Sequence, residues 1–280
     1  MAIYLGIDGG GSGCRAVVAG PDGLVLGRGA GASANIVTDP EGARSNVLAA
    51  AAAALAEAGF AGGEGEAIAV LGLAGANVSD AAAHLAAGLP FARARVVSDA
   101  LISVRGALGA GDGVAAAIGT GSAFAAQRDG DVRFIGGWGF VLGDQAGGAR
   151  LGRSLLEMAL LAHDGLRPGS PLLTAVVEEA GGPEGLVSYA QRARPVDFAH
   201  YARRIVETDD SAAAEILAIA DVDVVAGVDR LLRDGIVPVC FLGGLGPVFA
   251  TRLAGRYGGL IREGQGTALD GALALARGLA

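Results

Sequence analysis

The chain begins with a short apolar strand that runs into a cluster of glycines. Residues 3–8 are predicted to form this strand, Gly9-Gly10-Gly11-Ser12-Gly13 a turn, and Cys14–Ala19 a second strand. Glycine allows the tight reversal, and Pro21-Asp22-Gly23 predicts a further turn before a third strand that starts at Leu24. The sequence therefore predicts that the fold opens with three antiparallel strands.

A similar arrangement returns near residue 114. Val114–Ile118 predicts a strand, Gly119-Thr120-Gly121-Ser122 a tight turn, and Ser122–Gln127 a second strand, with a hairpin and a third strand at Val132–Ile135. Helical patterns fill most of residues 149–233. Two such openings, combined with helices, predict a duplicated α/β unit.

Cap and turn residues predict several of the remaining elements. Asp39 and Pro40 are suited to begin a helix that ends at Ala58, because the following Gly59 is a typical helix stop. Thr267 is suited to cap a last helix. The other expected elements are a strand at Ala67–Leu73, a helix at Ser79–Leu89, a strand at Arg95–Val97, a strand at Ile236–Leu242 and the last helix at Ala268–Ala276.

The two glycine turns are candidate phosphate-binding loops. Backbone N–H groups of such a turn can surround a phosphate because no side chain blocks the approach. Each turn directly follows an apolar strand and carries a hydroxyl group, on Ser12 in the first turn and on Thr120 in the second. The segment from Gly11 to Ala16 also matches a dinucleotide-binding pattern, but that pattern requires a helix next, and a strand is predicted here. We therefore interpret both turns as phosphate loops.

The charged residues exclude several classes of protein. All 21 basic residues are arginine, whereas Walker-A ATPases, protein kinases and pyridoxal-phosphate enzymes each need a specific lysine. The formal net charge of −8 disfavours nucleic acid as a partner. The apolar runs stay well short of the roughly 20 residues of a membrane helix, and no signal peptide precedes the first strand. We therefore expect a cytoplasmic protein without a membrane partner.

Two aspartates at the ends of strands are suited to phosphoryl transfer. Asp8 lies beside the first glycine turn, where a carboxylate next to a polyphosphate is unfavourable unless a cation lies between them. We therefore expect Asp8 to hold Mg²⁺, directly or through water. Asp99 ends a strand and can accept a proton from an attacking hydroxyl, but it can equally cap the helix Ala100–Ala107. The residues alone leave both roles of Asp99 open.

Three further residues are candidate sugar contacts. Trp138, the single tryptophan, lies between glycines, and Asp144 follows shortly after it. An aromatic ring can stack on the C–H face of a sugar while carboxylate and amide groups bind its hydroxyls. Asn35 lies in another loop of small residues. Turn formation would also explain these residues, so both explanations stay open at this point.

Together these motifs resemble the actin-like sugar kinases, specifically the BadF/BadG/BcrA/BcrD-type branch that contains N-acetylglucosamine kinase and bacterial glucosamine kinase. The resemblance extends over nearly the whole chain. The segments that carry it are Ile7–Ala16, Gly31–Ile36, Ser98–Ala100, Gly119–Ser122, Gly137–Asp144, His163–Pro168, Leu242–Leu245 and Ala268–Ala272. Many members of the family have Gly-Asp-Glu-Gly where this chain has Gly143-Asp144-Gln145-Ala146; the glucosamine-kinase-like members resemble the chain more closely there, but the position of their tryptophan can differ. This departure leaves open whether the amino sugar is free or N-acetylated.

The resemblance implies an α/β fold with two actin-like (ribonuclease H-like) domains, whose mixed sheets flank a cleft. The first domain would comprise residues 1–100, with the terminal helix in 267–280 returning to it, and the second residues 101–266. ATP and Mg²⁺ are the implied cofactors. The implied phosphate contacts are Asp8, Gly9, Gly10, Gly11, Ser12, Gly119, Thr120 and Gly121, and the implied adenosine contacts are Gly243 and Gly244.

The resemblance also assigns the substrate side. Asp99 would be the catalytic base that receives the proton of the sugar's 6-hydroxyl as this oxygen attacks the γ-phosphate. The implied sugar contacts are Asn35, Asp99, Ser122, Gly137, Trp138 and Asp144. The expected partners are therefore an amino sugar and ATP. A homodimer is compatible with the sequence, which does not determine the oligomeric state.

Two other functions are alternatives. An ATPase that activates a radical dehydratase shares the phosphate loops but needs cysteines for an iron–sulfur cluster. Neither Cys14, within the first hairpin, nor Cys240, in a predicted buried strand, is placed for such a cluster. A non-enzymatic sugar sensor would bind sugar without consuming ATP, and related repressors add a DNA-binding helix-turn-helix, which we do not expect in this acidic chain. The sequence therefore favours the kinase.

Overall fold

The computed structural model of the chain describes residues 2–11, 13–76 and 80–280. The chain forms two compact units: unit 1 comprises Met1–Gly111 and Gly264–Ala280, and unit 2 comprises Asp112–Glu263. The division expected after residue 100 falls inside helix α3 (Asp99–Leu108), whose Ile102 is part of a core cluster of unit 1. The boundary therefore follows α3 instead of preceding it.

Unit 1 is built on a five-stranded mixed sheet. Its strands are β1 (Ile3–Gly9), β2 (Cys14–Ala19), β3 (Val25–Gly31), β4 (Ala67–Leu73) and β5 (Arg93–Ser98). They lie in the order β3-β2-β1-β4-β5. β1, β2 and β3 pair in an antiparallel manner, whereas β4 and β5 run parallel to β1. The predicted three-stranded opening is therefore confirmed, and it forms one side of the larger sheet.

One face of this sheet is covered by helix α1 (Pro40–Glu57). The helix begins as predicted, because the Asp39 side chain accepts a hydrogen bond from the N–H of Gly42 and proline follows the cap. Small residues let the helix lie close to β3. A Cβ on Gly29 would lie only 2.0 Å from the carbonyl oxygen of Ala50.

The opposite face of the sheet is covered by α3 and by the C-terminal helix α11 (Ala268–Arg277). The predicted Thr267 cap is present as part of a capping box. The two helices cross closely, since a Cβ on Gly106 of α3 would lie 1.8 Å from the carbonyl oxygen of Thr267. This packing fixes α3 on the sheet, and with it Asp99 in its first turn.

Helix α2 (Ala81–Ala87) is shorter than the predicted helix over residues 79–89. Ser79 lies outside the described residues, and the helix ends at Gly88, whose N–H bonds back to Leu85. Glycine is a common residue after the end of a helix because it tolerates non-helical backbone angles. A short 3₁₀ turn, Glu64–Glu66, leads into β4.

Unit 2 contains a four-stranded mixed sheet. Its strands are β6 (Gly113–Ile118), β7 (Ser122–Arg128), β8 (Asp131–Gly136) and β9 (Val239–Leu242), in the order β8-β7-β6-β9. β6, β7 and β8 are antiparallel, and β9 runs parallel to β6. β9 begins later than the predicted residue 236, because Ile236 is 72% exposed and Pro238 has no N–H to pair with a neighbouring strand.

Helices make up most of the rest of unit 2, as the sequence predicts for residues 149–233. They are α4 (Gly148–His163), α5 (Pro171–Glu179), α6 (Pro183–Ala190), α7 (Pro195–Val206), α8 (Ser211–Leu232), α9 (Gly246–Arg252) and α10 (Ala254–Tyr257). α4 and α7 cross closely, since a Cβ on Gly152 would lie 1.9 Å from the carbonyl oxygen of Phe198. Among the helices in the described part of the chain, none combines the length and apolarity needed to cross a bilayer.

Candidate active site

The first glycine turn joins β1 to β2 at one end of the unit 1 sheet. The N–H of Gly10 donates to the carbonyl oxygen of Gly13 at 2.9 Å, and the carbonyl oxygen of Gly10 accepts from the N–H of Ala34 at 2.9 Å. Among the described residues, no atom lies within 4 Å of a Cβ built on Gly10 or Gly11. Packing therefore does not require these glycines, whereas the close approach of a ligand would. Because its N–H closes the hairpin, Gly10 would contribute space for a phosphate and not a donor.

Gly9 and Ser12, the other two loop residues predicted to contact phosphate, are not supported in the same way as Gly10 and Gly11. Gly9 is buried, and a Cβ there would lie 2.7 Å from a methyl carbon of Leu73. Its small size is thus explained by packing beneath the turn. Ser12 lies outside the described residues, so its predicted phosphate contact stays a prediction.

Asp8 lies next to this turn and forms an ion pair with Arg15. The two residues are opposite each other in the β1–β2 register, and Nη2 of Arg15 lies 2.6 Å from Oδ2 of Asp8. The side chain of Asp8 is 17% exposed and that of Arg15 is 69% exposed. A partly exposed carboxylate beside an open turn is a suitable ligand for Mg²⁺, so Asp8 fits its predicted role. Sequence reasoning missed Arg15, although the predicted antiparallel hairpin already placed it opposite Asp8.

Asp99 lies on the same side of the sheet as Asp8. Ile102, one turn further along α3, packs over Gly72, which is the residue opposite Asp8 on β4. The cap of α3 is Ser98, whose hydroxyl oxygen accepts a backbone hydrogen bond from the first turn. The capping role that the sequence left open for Asp99 therefore belongs to its neighbour.

The environment of Asp99 changes its affinity for protons. Burial raises the pKa of the Asp99 carboxyl above its usual value, and the negative charge of Asp8 acts in the same direction. A hydrogen bond from the N–H of Ala100 to Oδ1, at 2.9 Å, opposes this shift. A raised pKa strengthens a carboxylate as a proton acceptor, so the site suits a general base.

Asn35 lies in a loop that is hydrogen-bonded to the first glycine turn. In this loop, the hydroxyl of Ser33 donates to the carbonyl oxygen of Gly10 at 3.3 Å. Oδ1 of Asn35 accepts from the N–H groups of Val37 and Thr38, at 3.0 and 3.2 Å. The amide oxygen therefore closes an Asx turn. The amide nitrogen is the group through which Asn35 could donate to a sugar hydroxyl.

The second glycine turn, in unit 2, is attached to the start of α4. The N–H groups of Gly148 and Ala149 donate to the carbonyl oxygens of Gly119 and Thr120, at 2.8 and 2.9 Å. A Cβ built on Gly119 would have no described atom within 4 Å, so this glycine also leaves open space. Thr120 is exposed. The turn is thus held from behind by a helix terminus while part of its backbone stays open.

Gly243 and Gly244 follow β9 and lie beside the second turn. Gly243 has a φ of 81°, and a Cβ there would lie 2.5 Å from the carbonyl oxygen of Ile118. The same carbonyl oxygen accepts a hydrogen bond from the N–H of Leu245 at 3.0 Å. The structure therefore brings the predicted adenosine motif and the second phosphate loop together.

A pocket of about 510 Å³ opens at this junction within unit 2. Pockets of this size are typical of small-molecule sites. Gly119, Thr120 and Gly244 line one side, and α7 forms the other wall. Sequence reasoning missed α7, because nothing in its ordinary amphipathic pattern indicates which residues it faces. The α7 residues that line the pocket are Val196, Ala199, His200, Ala202, Arg203 and Val206.

Asp144 folds back over the second glycine turn. Its carboxylate accepts hydrogen bonds from the N–H groups of Gly139, at 3.1 Å, and Ser122. A Cβ on Gly121 would lie 2.3 Å from Oδ2 of Asp144, so this glycine makes room for the carboxylate. Burial raises the pKa of Asp144, while these hydrogen bonds and the charge of Arg150 oppose the shift. Asp144 is therefore held in place beside the turn.

The remaining residues of the predicted sugar site differ in their surroundings. Trp138 is 81% exposed, so its ring is available to a ligand. Gly137 has a φ of 70° and packs against Ala123. Backbone conformation and packing therefore explain why this residue is glycine, and no ligand contact is needed. Ser122 is only 6% exposed, and its hydroxyl donates to the carbonyl oxygen of Gln145. The hydroxyl of Ser122 is therefore used in holding the turn, and we do not retain it as a sugar contact.

Comparison with known proteins identifies relatives whose names indicate the kind of chemistry that the site suggests. A model of the BadF/BadG/BcrA/BcrD ATPase family matches residues 5–246. The chain is 30% identical over 282 residues to the glucosamine kinase GspK of Vibrio cholerae serotype O1, a match that covers 99% of this chain and 96% of that protein.

Solved structures give two further comparisons. A candidate N-acetylglucosamine kinase from Chromobacterium violaceum is 31% identical, with a TM-score of 0.90 over 99% of both chains. A ROK family glucokinase from Streptomyces griseus, solved with glucose and AMPPNP, has a TM-score of 0.60 at 18% identity and covers 99% of this chain and 100% of that one. At that identity the second likeness shows the fold alone, and it agrees with the predicted actin-like α/β class. The chain therefore belongs to the BadF/BadG/BcrA/BcrD ATPase family.

Proposed function

We propose that this protein is a sugar kinase that transfers the terminal phosphoryl group of ATP to an amino sugar. Glucosamine is the favoured substrate and N-acetylglucosamine the next candidate. The observation that carries the proposal is Asp99, a carboxylate of raised pKa that lies on the same side of the unit 1 sheet as Asp8 and at the sheet end where β1 meets the open glycine turn. The family description supports the use of ATP, and the two relatives of about 30% identity are named as kinases of amino sugars.

In unit 1, Asp99 would act as the general base. It would accept the proton of the attacking sugar hydroxyl, for which we propose the 6-hydroxyl. The new oxygen–phosphorus bond forms as the bond from the γ-phosphorus to ADP breaks, and the proton moves to the carboxylate. Asp8 would hold Mg²⁺, which neutralises charge on the phosphate oxygens when it is bound. Gly10 and Gly11 would allow the phosphates to approach the backbone.

In unit 2, the 510 Å³ pocket would hold the nucleoside part of ATP against Gly243 and Gly244. Its walls on α7 and α9 are largely apolar, as is usual for sites that bind a flat base. The candidate sugar contacts are the amide of Asn35 in unit 1 and, in unit 2, the carboxylate of Asp144 and the exposed ring of Trp138. These contacts would orient the attacking hydroxyl, which is the main contribution a protein makes to phosphoryl transfer.

The alternative within the same family, an ATPase that serves a dehydratase, is less well supported. It would need thiolates to hold an iron–sulfur cluster. Cys14 and Cys240 are each only 2% exposed. Burial, together with the negative charge of Asp8, raises the pKa of Cys14 to about 11, and burial also raises that of Cys240. Both thiols are therefore protonated near neutral pH in this fold and are enclosed away from the surface at which a cluster would have to bind.

A coupled ADP-release assay with glucosamine, N-acetylglucosamine and glucose, run side by side, tests the proposal. We expect sugar-dependent ADP formation that is highest with glucosamine, and a product identical to the 6-phosphate on comparison with an authentic standard. Higher turnover with N-acetylglucosamine would correct the preferred substrate but keep the reaction class. If none of the three sugars stimulated ADP release, the kinase proposal would be wrong, and iron analysis of the pure protein would then test the dehydratase alternative.

A further inference from the structure

The ion pair between Asp8 and Arg15 is not used by the chemistry proposed above. Its two side chains are held at 2.6 Å by the β1–β2 register, yet the side chain of Arg15 is 69% exposed. Ion pairs with such an exposed partner contribute little to folding stability. A purely structural role is therefore a weak explanation for an arginine at this position.

The charges around the first glycine turn indicate what the guanidinium could do. Asp8 and Asp99 are close enough for the charge of Asp8 to raise the pKa of Asp99, so a polyphosphate that reaches this turn meets two negative groups. Mg²⁺ on Asp8 would offset part of this repulsion. Because the chain has no lysine, a side chain that carries a full positive charge at neutral pH and binds a phosphate here must be an arginine. Arg15 already lies at the turn, paired with the carboxylate that is the candidate Mg²⁺ ligand.

We propose that Arg15 binds the terminal phosphate groups of the nucleotide. Without nucleotide, its guanidinium is paired with Asp8. With Asp8 engaged as a Mg²⁺ ligand, the guanidinium of Arg15 would be free to pair with phosphate oxygens, which it can bind with two parallel hydrogen bonds. The ion pair thus keeps Asp8 and Arg15 in position, and on nucleotide binding the guanidinium changes its anionic partner from the Asp8 carboxylate to a phosphate group. This inference rests on the proposed kinase function, since the ligand is its nucleotide substrate.

Nucleotide binding in the absence of sugar tests the role of Arg15. Titration calorimetry would compare AMP, Mg·ADP and Mg·AMPPNP on wild type, Arg15→Gln and Arg15→Lys. We expect Arg15→Gln to weaken Mg·ADP or Mg·AMPPNP about 10- to 100-fold, and AMP by less than about twofold, because AMP lacks the terminal phosphates. Arg15→Lys keeps the charge but not the paired hydrogen bonds, so its affinity should lie between the other two.

Arg133→Gln is the matched control, because Arg133 also pairs with an aspartate, Asp234, and both side chains are 52% exposed. It should leave all three affinities unchanged. The proposal is overturned if Arg15→Gln weakens all three ligands equally, or none of them, while its Tm stays within a few degrees of wild type. If Arg15→Gln does not fold, Arg15→Lys is used instead: the proposal requires that it weaken Mg·ADP and Mg·AMPPNP more than AMP, and an equal effect on all three ligands, or none, overturns it. Failure of the wild type itself to bind any nucleotide would instead contradict the proposed kinase function.

Discussion

The two glycine turns have different surroundings, although their sequences look alike. The first turn, in unit 1, lies at a sheet end that carries three charged side chains, Asp8, Arg15 and Asp99. The second, in unit 2, is covered by Asp144 on one side and borders a pocket of about 510 Å³, whose lining is largely apolar but includes Arg203 and Glu207. Charged groups that touch the reacting atoms change the rate of the chemical step, whereas a pocket for distant parts of a substrate supplies binding energy. We therefore expect the first turn to control kcat and the affinity for the terminal phosphates, and the pocket beside the second turn to control the affinity for the nucleoside part of the nucleotide.

The largest effect should come from Asp99→Asn. The amide cannot accept the proton of the attacking hydroxyl, so we expect kcat to fall by about 10²- to 10⁴-fold. The KM for ATP should change little, because the nucleoside pocket lies in unit 2. Steady-state kinetics with the best sugar substrate measure both constants. A variant that kept more than about a tenth of the wild-type kcat would show that Asp99 is not the base.

The next largest effect concerns folding at the second turn. Gly243→Ala places a methyl group 2.5 Å from the carbonyl oxygen of Ile118 at a φ of 81°, so we expect a loss of about 2–4 kcal/mol in the free energy of unfolding. Gly244→Ala is the matched control, since no described atom lies within 4 Å of its added Cβ. Urea denaturation of both variants measures the difference. Equal stability of the two would mean that the second turn is not packed as described.

A smaller effect is expected at the pocket beside the second turn, where a substitution should change the affinity for the nucleotide without changing the rate of the chemical step. Ala199→Leu on α7 places a larger side chain in the pocket and reduces its free volume, so we expect the affinity for AMP to fall about tenfold and the KM for ATP to rise in parallel, with kcat nearly unchanged. Ala214→Leu, at an exposed position of α8, is the control for adding the same side chain elsewhere. A fall in kcat without a change in AMP affinity would contradict the separation of binding from chemistry.

Sequence reasoning succeeded where a single local signal determines the structure. Asp39 and Pro40 predicted the start of α1 because cap chemistry acts over a few residues. The first turn and its strands were predicted because alternating apolar residues and glycines are equally local. The same reasoning placed the start of β9 too early, since the exposure of Ile236 depends on packing that the local pattern does not contain.

The candidate site was only partly predictable for the same reason. Asp8 and Asp99 lie beside predicted strand ends, so their positions could be inferred from the strands. The α7 wall of the pocket reaches Gly119 only through the crossing of α4 and α7, which depends on Gly152 and on contacts between residues distant in sequence. Ser122 shows the converse: its motif indicated a ligand contact, but tertiary structure directs its hydroxyl to a backbone carbonyl group.

The smallest predicted effect concerns the stability of the fold. It separates the role of Asp99 as a proton acceptor from the destabilisation that its buried, ionised carboxylate causes. Burial raises the pKa of Asp99 in the folded state, so the ionised carboxylate is less favourable there than in the unfolded chain. This cost is absent below the unfolded-state pKa of about 4 and fully present above the raised folded-state value. Asp99→Asn removes it, so the Tm of the variant should exceed that of wild type by a few degrees at pH 7 and approach it near pH 4. Thermal melts at both pH values measure the difference. A variant that is less stable than wild type at pH 7 would show that the ionised carboxylate stabilises the fold. Asp99 would then have a structural role, like the packed residues, and its raised pKa would not support a role as a reactive group.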